Sequence, residues 1–543
     1  VASTTNPTQF FFSARVWDSK DQNTEITKPS PTSPFNGPGF LDNPPNVTGP
    51  DGLGQMPPMY IGVQTQPDMT RTDGSTAVAS DLDPLLAYEE TVSAHQAFVN
   101  LERTMQHDGY GTPVGGGIID IELLHLLKLH GTVPLISLHL PQNYGSASPS
   151  QSPPGYGLRN VTNGDLDGYL DNIAKVCASY QGEILCRLNH EFNGNWYAYS
   201  PGLTDVQNGG HVNTPTDFAN CWRHVVNRFR SMGAWNVRWI WCPYVWGGHQ
   251  SSGPSTVPTA WDRQGGNWKG PWNPTSSVQA YSDPSGDQNR YCFPGQNYVH
   301  YTGMDGYNWG AGSTVGLGND GNVRWHSGIQ IFWNTYQDLQ KHNFAGHIFK
   351  TIICEFSSDN GNLFSLQAAA RGSLTSNIAA GVTSIPWTGK TDGLYPLGVF
   401  QFGSGPGQEV VTIDPSWVPG STPLILELPT LNAHGAGAQM FYYWTKAGWF
   451  QQFLYHDLPK MSAQDGTSGC AGICLFNWDH WYVGSETGSI YGSSAGAYAS
   501  AVAAPWYLAY PEFPTNDRGP IHEVGEFHAT RQLNAPATYT LDL

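Results

Sequence analysis

Gly182-Glu183-Ile184-Leu185-Cys186-Arg187-Leu188-Asn189-His190-Glu191-Phe192-Asn193-Gly194-Asn195-Trp196 is the stretch that decides the fold. It opens as an apolar run, Ile184 to Leu188, bounded by Gly182 and of strand length. It then turns polar at Asn189-His190-Glu191 and meets Gly194. A buried barrel strand looks like this where it leaves the core and enters a surface loop. In an α/β barrel, the carboxyl ends of the strands carry the chemistry. A glutamate at that point fits two roles: an acid facing a substrate, or one half of a structural ion pair at the rim.

Working outward, the same rhythm repeats. Met59–Thr65 reads as a first strand, 81–93 as a helix and 97–102 as a second strand. A helix over Ile118–His130 is stopped by Gly131 and precedes the strand Val133–His139. Residues 143–163 read as a Ser/Pro/Gly loop, and Asp165–Ser179 as the helix feeding the central strand. Thr214-Pro215-Thr216-Asp217 starts a helix: Thr caps, Pro takes the first turn and Asp reaches back. Phe218, Trp222, Val225, Phe229 and Met232 trace its apolar face. Val237–Cys242, a short strand Tyr301–Asp305, a helix Ile329–His342 and a strand Phe349–Glu355 continue the pattern. Helices over Lys446–Leu458 and Ala495–Leu508 flank a last strand, Ala471–Asn477. Strand–helix alternation with strands apolar on both faces predicts a parallel sheet closed as a (β/α)8 barrel.

Three regions break the rhythm. Residues 1–58 are rich in Pro, Asn, Ser and Thr and read as an extended arm on the barrel. Residues 362–441 read as short strands and turns, an inserted all-β module between the first part of the barrel (59–361) and its last part with the tail (442–543). Residues 246–297 form a long loop holding Trp246, Trp261, Trp268 and Trp272, and loops of that length are usually functional or disordered.

The 543 residues include 20 Trp, 63 Gly and 40 Pro, and the net charge is −18. That charge would repel nucleic acid, and no basic patch offsets it. An acidic, aromatic-rich surface suits a neutral partner such as a sugar, whose C–H faces stack on Trp and Tyr. No apolar run is long enough to cross a membrane as a helix. The start Val-Ala-Ser, without Met, suggests a trimmed chain, and secretion is the expected fate. Asn46-Val47-Thr48 and Asn160-Val161-Thr162 would then be sequons. Eight cysteines permit disulfides without requiring them. Cys186, Cys242 and Cys354 sit in apolar runs and read as small buried hydrophobes. Neither metal nor organic cofactor is expected: Cys470 and Cys474 have no second pair nearby, and His190-Glu191 is not followed by the second histidine of a zinc-protease motif, position 194 being Gly.

Counting strands, Glu191 ends the fourth and Glu355 the seventh, so closure puts both on one rim. A retaining glycosidase needs one carboxylic acid and one ionised carboxylate facing each other across the bond to be cut. Several stretches together resemble glycoside hydrolase family 26. They are Arg187-to-Trp196, Pro134-to-His139, Phe218-to-Pro243, Gly303-Met304-Asp305-Gly306-Tyr307-Asn308-Trp309-Gly310, and Ile352-Ile353-Cys354-Glu355-Phe356. The resemblance covers most of 59–361 and resumes over 444–508. It implies a retaining endo-β-glycanase acting on a polysaccharide, β-1,4-mannan first, with β-1,3-xylan or mixed-linkage β-glucan as alternatives. It implies Glu191 as general acid/base, Glu355 as nucleophile and Tyr307 as the phenol bonded to that nucleophile. His139, His190, Asn193, Trp196 and Trp309 are implied as sugar contacts. Trp478 stands near the place of the family's aromatic platform, one or two positions late. A reading of another class, a carbohydrate-binding or adhesion protein on an inactive barrel, is motivated by the insertion and the aromatic loops.

Overall fold

The structure is a computed structural model. It describes residues 39–42, 44, 46–49, 54–65, 69, 75–142, 152–180, 182–193, 196–245, 292–308, 328–341, 349–358, 372–389, 394, 399–403, 407–414, 416–418, 421–443, 446–462, 469–477 and 494–510. The tryptophans of the 246–291 segment, Trp309 and Trp478 lie outside the described residues.

Seven parallel strands follow in chain order: β1 (Met59–Gln64), β2 (Phe98–Thr104), β3 (Val133–His139), β4 (Ile184–Leu188), β5 (Val237–Trp241), β6 (Tyr301–Asn308) and β7 (Thr351–Ser358). After an intervening β region the eighth, β13 (Cys470–Phe476), pairs with β7 on one side and β1 on the other, which closes the barrel. The chain is a (β/α)8 barrel. Its helices include α1 (Asp83–Val92), α2 (Ile121–His130), α3 (Leu158–Asn163), α4 (Asp167–Tyr180), α5 (Pro215–Ser231) and α6 (Gly328–Lys341). The Thr214/Asp217 capping box at α5 forms reciprocally, with Asp217 N–H on Thr214 Oγ1 at 3.0 Å and Thr214 N–H on Asp217 Oδ2 at 2.9 Å.

Two apolar layers hold the barrel. The outer one packs the helices on the strands, with Ile61, Val63, Ile353 and Phe356 facing Leu85, Leu124, Phe450 and Phe453. The inner one fills the floor of the barrel with Tyr60, Phe98, Leu135, Leu185, Ile240, Cys242, Ile352 and Cys354. Phe40 plugs this floor from below, edge-on to Tyr60 at 5.0 Å. Lys350 Nζ holds the plug by donating to Leu41 O at 2.9 Å. Gly62 is required at the floor, because a Cβ there would lie 2.4 Å from the Phe98 ring. All eight cysteines are buried and unpaired as thiols.

Residues 372–443 hold an antiparallel sheet of β8 (Gly372–Leu374), β9 (Trp387–Gly389), β10 (Val399–Phe402), β11 (Glu409–Thr412) and β12 (Gln439–Tyr443). Its core of Leu374, Ile385, Phe400, Phe402, Ile413 and Leu424 is separate from both barrel layers.

The structure differs from the sequence reading in five places. Residues 158–163 are helical, not loop; Gly157 leads into them and Gly164 ends them in the left-handed region. Asn160 of that helix gives its amide to Asp165, which leaves the second sequon with a side chain already engaged. Strand β6 runs on to Asn308 and β7 to Ser358, since Asn308 Nδ2 donates to Ser358 Oγ across them at 2.9 Å. The 446–462 helix holds a π-helical stretch, Gln451–Asp457. The last helix is shorter than the period suggests: it stops at Val502, and Tyr507–Leu508 (β14) instead pairs beside β1.

Candidate active site

Arg187 organises the mouth of the barrel. It stands inside β4, fully buried, and its five N–H donors reach across the lumen. Nε donates to Ser137 Oγ at 2.9 Å. Nη1 donates to both oxygens of Asp305 at 2.9 and 2.8 Å. Nη2 donates to Glu102 Oε1 at 3.2 Å and to Glu355 Oε1. A lone arginine in an otherwise apolar strand had to find such partners, because an unpaired buried charge costs several kcal/mol.

Glu355 reaches the lumen through a bulge. Strand β7 pairs with β6 in the register Met304↔Ile353, then Asp305↔Glu355, so Cys354 is an extra residue. Cys354 faces the floor and Phe356 packs outward on Trp449, Phe450 and Phe453. Strict alternation from Cys354 would send Glu355 outward to the helices. The bulge lets both side chains point in. Tyr307 O–H then donates to Glu355 Oε2, so the carboxylate is gripped at one oxygen by Arg187 and at the other by the phenol.

Glu191 arrives differently. It lies three residues beyond β4, and the backbone enters the left-handed region twice on the way, at Asn189 (φ 42°) and at Glu191 itself (φ 52°). Such backbone costs about 1–3 kcal/mol per residue and needs support. Asn189 N–H bonds Leu138 O at 2.9 Å, its Oδ1 accepts from Leu140 N–H at 3.0 Å, and Glu191 N–H bonds Cys242 O at 2.9 Å. Trp196 Nε1–H donates to Glu191 Oε2 at 2.7 Å.

One guanidinium thus faces four carboxyls, so the site cannot ionise them all cheaply. Burial, then the charges of Asp305 and Glu355, hold Glu191 well above the usual carboxylate range. Burial raises Glu355 too, against Arg187 and the Tyr307 hydrogen bond. With a guanidinium and a phenol both donating to Glu355, its anion is the better held, and a shared proton favours Glu191. Burial also raises Asp305, against Arg187. Glu102 goes the other way: against the cost of burial, the His139 hydrogen bond and the Arg187 charge hold it at about 2. His190 is kept neutral by burial and by Arg187. His190, Asp305 and Glu355 lie close enough to share a cation. Arg187 already occupies both carboxylates, and its charge opposes a metal there.

No protein-family model matches the chain. A curated relative, Endoglucanase H of Acetivibrio thermocellus, is 29% identical over 203 residues, or 37% of this chain. The match spans only 17% of that relative's length. A solved modular endo-β-1,4-mannanase from Cellulomonas fimi aligns with a TM-score of 0.41 at 12% identity, covering 85% of this chain and 74% of the other. The catalytic domain of the Bacillus sp. JAMB-750 GH26 endo-β-1,4-mannanase aligns at 0.42 and 13% identity, covering 86% and 89%. The chain's resemblance to glycoside hydrolase family 26 rests on the sequence motifs quoted above.

Of the residues that the family 26 resemblance singles out, Glu191, Glu355, Tyr307, His139, His190 and Trp196 gather at one mouth. His190 Nε2 meets Tyr197 O–H at 3.2 Å, and its ring is edge-on to His139 at 5.8 Å. His139 is held by Leu140 O at 3.0 Å and Glu102 at 3.5 Å. Asn193 uses its amide on backbone: Nδ2 donates to Tyr244 O and Oδ1 accepts from Tyr244 N–H, both at 2.7 Å. In the structure it braces the loop after β5 to the loop after β4. Three charged residues of the network were given no role from sequence: Arg187, Asp305 and Glu102. Arg187 carried a readable signal, a charge inside a buried strand. Glu102 carried a weaker one, since a carboxylate near a strand end also suits the surface.

Proposed function

We propose that the chain is a glycoside hydrolase that cleaves a β-linked polysaccharide with retention of configuration. The observation that carries this reading is the unequal pair. Glu355 is gripped at both oxygens by Arg187 and Tyr307, and Glu191 holds a proton above the usual range. Glu355 attacks the anomeric carbon while Glu191 protonates the departing glycosidic oxygen. Forming the ester removes the Glu355 charge. Glu191 then becomes more acidic and, with the Trp196 indole stabilising its anion, takes a proton from the incoming water. Tyr307 and Arg187 receive the Glu355 carboxylate when it is released.

His190 supports a sugar-binding role. Burial and Arg187 keep it neutral, its Nε2 meets Tyr197 O–H at 3.2 Å, and its ring stands edge-on to His139 at the mouth. Trp196, bonded to Glu191, stands edge-on to Tyr244 at 5.3 Å.

β-1,4-Mannan is the substrate that the family resemblance favours. Mixed-linkage β-glucan is the second reading, supported by the relative named an endoglucanase; β-1,3-xylan is the third. The chain acts outside the cell and within polysaccharide chains rather than from their ends. Digesting mannan, mixed-linkage glucan and β-1,3-xylan side by side, with NMR of the first-formed anomer, tests the proposal. A β-anomer product that disappears in Glu355→Ala and Glu191→Ala is expected. No new reducing ends from any of the three would leave the alternative, a carbohydrate-binding barrel.

A further inference from the structure

At the amino-terminal face of the barrel, opposite the mouth, three ligating side chains converge from three elements. Glu89 stands in the last turn of α1, His95 in the connection from α1 to β2, and His130 at the end of α2. Their side chains are only 12%, 7% and 8% exposed. Glu89 Oε1 lies 3.0 Å from His95 Nδ1, and Glu89 Oε2 lies 2.8 Å from His130 Nε2. One ligand atom from each residue falls within 4.8 Å of the other two.

The surroundings of His95 decide what lies between them. Its Nε2 faces Gly131 O at 3.2 Å, and Thr132 Oγ1 at 3.5 Å, whose own proton goes to Gln96 O. Nε2 therefore carries a proton. The lone pair of a neutral imidazole is then on Nδ1, and it points at a carboxylate oxygen. Two lone pairs 3.0 Å apart need a proton or a metal ion between them. A ligating histidine is typically oriented by its far N–H on a backbone carbonyl, as His95 is by Gly131. A ligating carboxylate is typically hydrogen-bonded as well, as Glu89 is by Gln96 N–H at 2.7 Å. The Tyr510 ring, stacked on His95 at 4.3 Å and 13°, shields one side of the cluster.

We propose that Glu89, His95 and His130 form a structural site for a divalent d-block cation, with zinc the best match to two imidazoles and one carboxylate. The ion replaces the shared protons and ties α1, the start of β2 and the end of α2 together beneath the barrel, far from the mouth. It takes no part in bond cleavage.

The test uses the full chain, stripped with a chelator, freed of it and titrated with zinc chloride at pH 7.5. One zinc per chain should bind saturably and raise the Tm, while hydrolysis at saturating substrate is unchanged. His130→Gln and His95→Gln should each abolish the binding and the Tm rise and keep the hydrolytic rate. Zinc-edge X-ray absorption on the unaltered chain, which needs no variant, should show two imidazoles and oxygen at roughly 2.0–2.1 Å. A zinc shell containing sulfur, or oxygen alone, would move the ion to another cluster and overturn the proposal. So would stoichiometry that survives both substitutions, or a Tm that ignores zinc and rises only with acid.

Discussion

The two halves of the barrel lumen are built from the same strands and obey opposite rules. The lower half is dry: Phe40, Tyr60, Phe98, Leu135, Leu185 and Ile240 fill it with apolar surface. A few residues further along those strands, the lumen holds one buried guanidinium and several carboxyls, of which Asp305, Glu355 and Glu191 are buried. The floor stabilises by removing surface from water. The mouth gains little net stability from its ion pairs, because desolvation offsets attraction. What it gains is two carboxyls in unlike surroundings, Glu355 gripped by Arg187 and Tyr307 and Glu191 bonded by the Trp196 indole. Stability and chemistry are thus separated along each strand, and substitutions should separate them too.

The sharpest break of the comparison is at the mouth. Glu355→Ala should abolish hydrolysis, and Glu191→Ala should cost ~10²–10⁴-fold in kcat, with thermal unfolding little changed, as measured by initial rates and calorimetry on the same preparations. The mirror-image experiment is at the floor. Phe40→Ala should destabilise by about 3–5 kcal/mol, the usual cost of deleting a buried phenyl group. Its kcat at a temperature where it stays folded should match the parent; a large fall in kcat there would mean floor and mouth are coupled.

Tyr307→Phe sharpens the comparison within the mouth. It removes one hydrogen bond to a charged group, about 1.5–3 kcal/mol, so kcat/KM should fall by roughly 10- to 150-fold. Because the bond favours the ionised carboxylate, the acidic limb of the pH–rate profile should also move to higher pH. Trp196→Phe should have a smaller effect of related kind. Its indole favours the Glu191 anion, so without it the basic limb should move to higher pH. An unmoved limb would remove Trp196 from the proton cycle. The smallest effect concerns Glu102, held at about 2 in the fold. A depressed folded value adds stability that is present above the unfolded value of about 4.3 and is lost as pH falls toward 2. Glu102→Gln should therefore flatten the fall of Tm across that window.

Much of this was legible in the chain. Apolar runs of strand length, most of them followed by a helical period, identified eight barrel strands in order, because a strand buried on both faces reads as a near-continuous apolar run. Glu191 and Glu355 stood out as carboxylates where such runs turn polar. Asp305 and Glu102 did not, since nothing in a local window says which distant charge will meet them. The chain of residues determined the barrel, its strand count and the two acids that share its mouth. Only the tertiary structure decided which way they face. The bulge at Cys354 that turns Glu355 inward, the left-handed pair that lifts Glu191, and the grip of Arg187 all depend on neighbours supplied by other strands. Period-two alternation is a local rule, whereas register and charge pairing exist only after the sheet has closed.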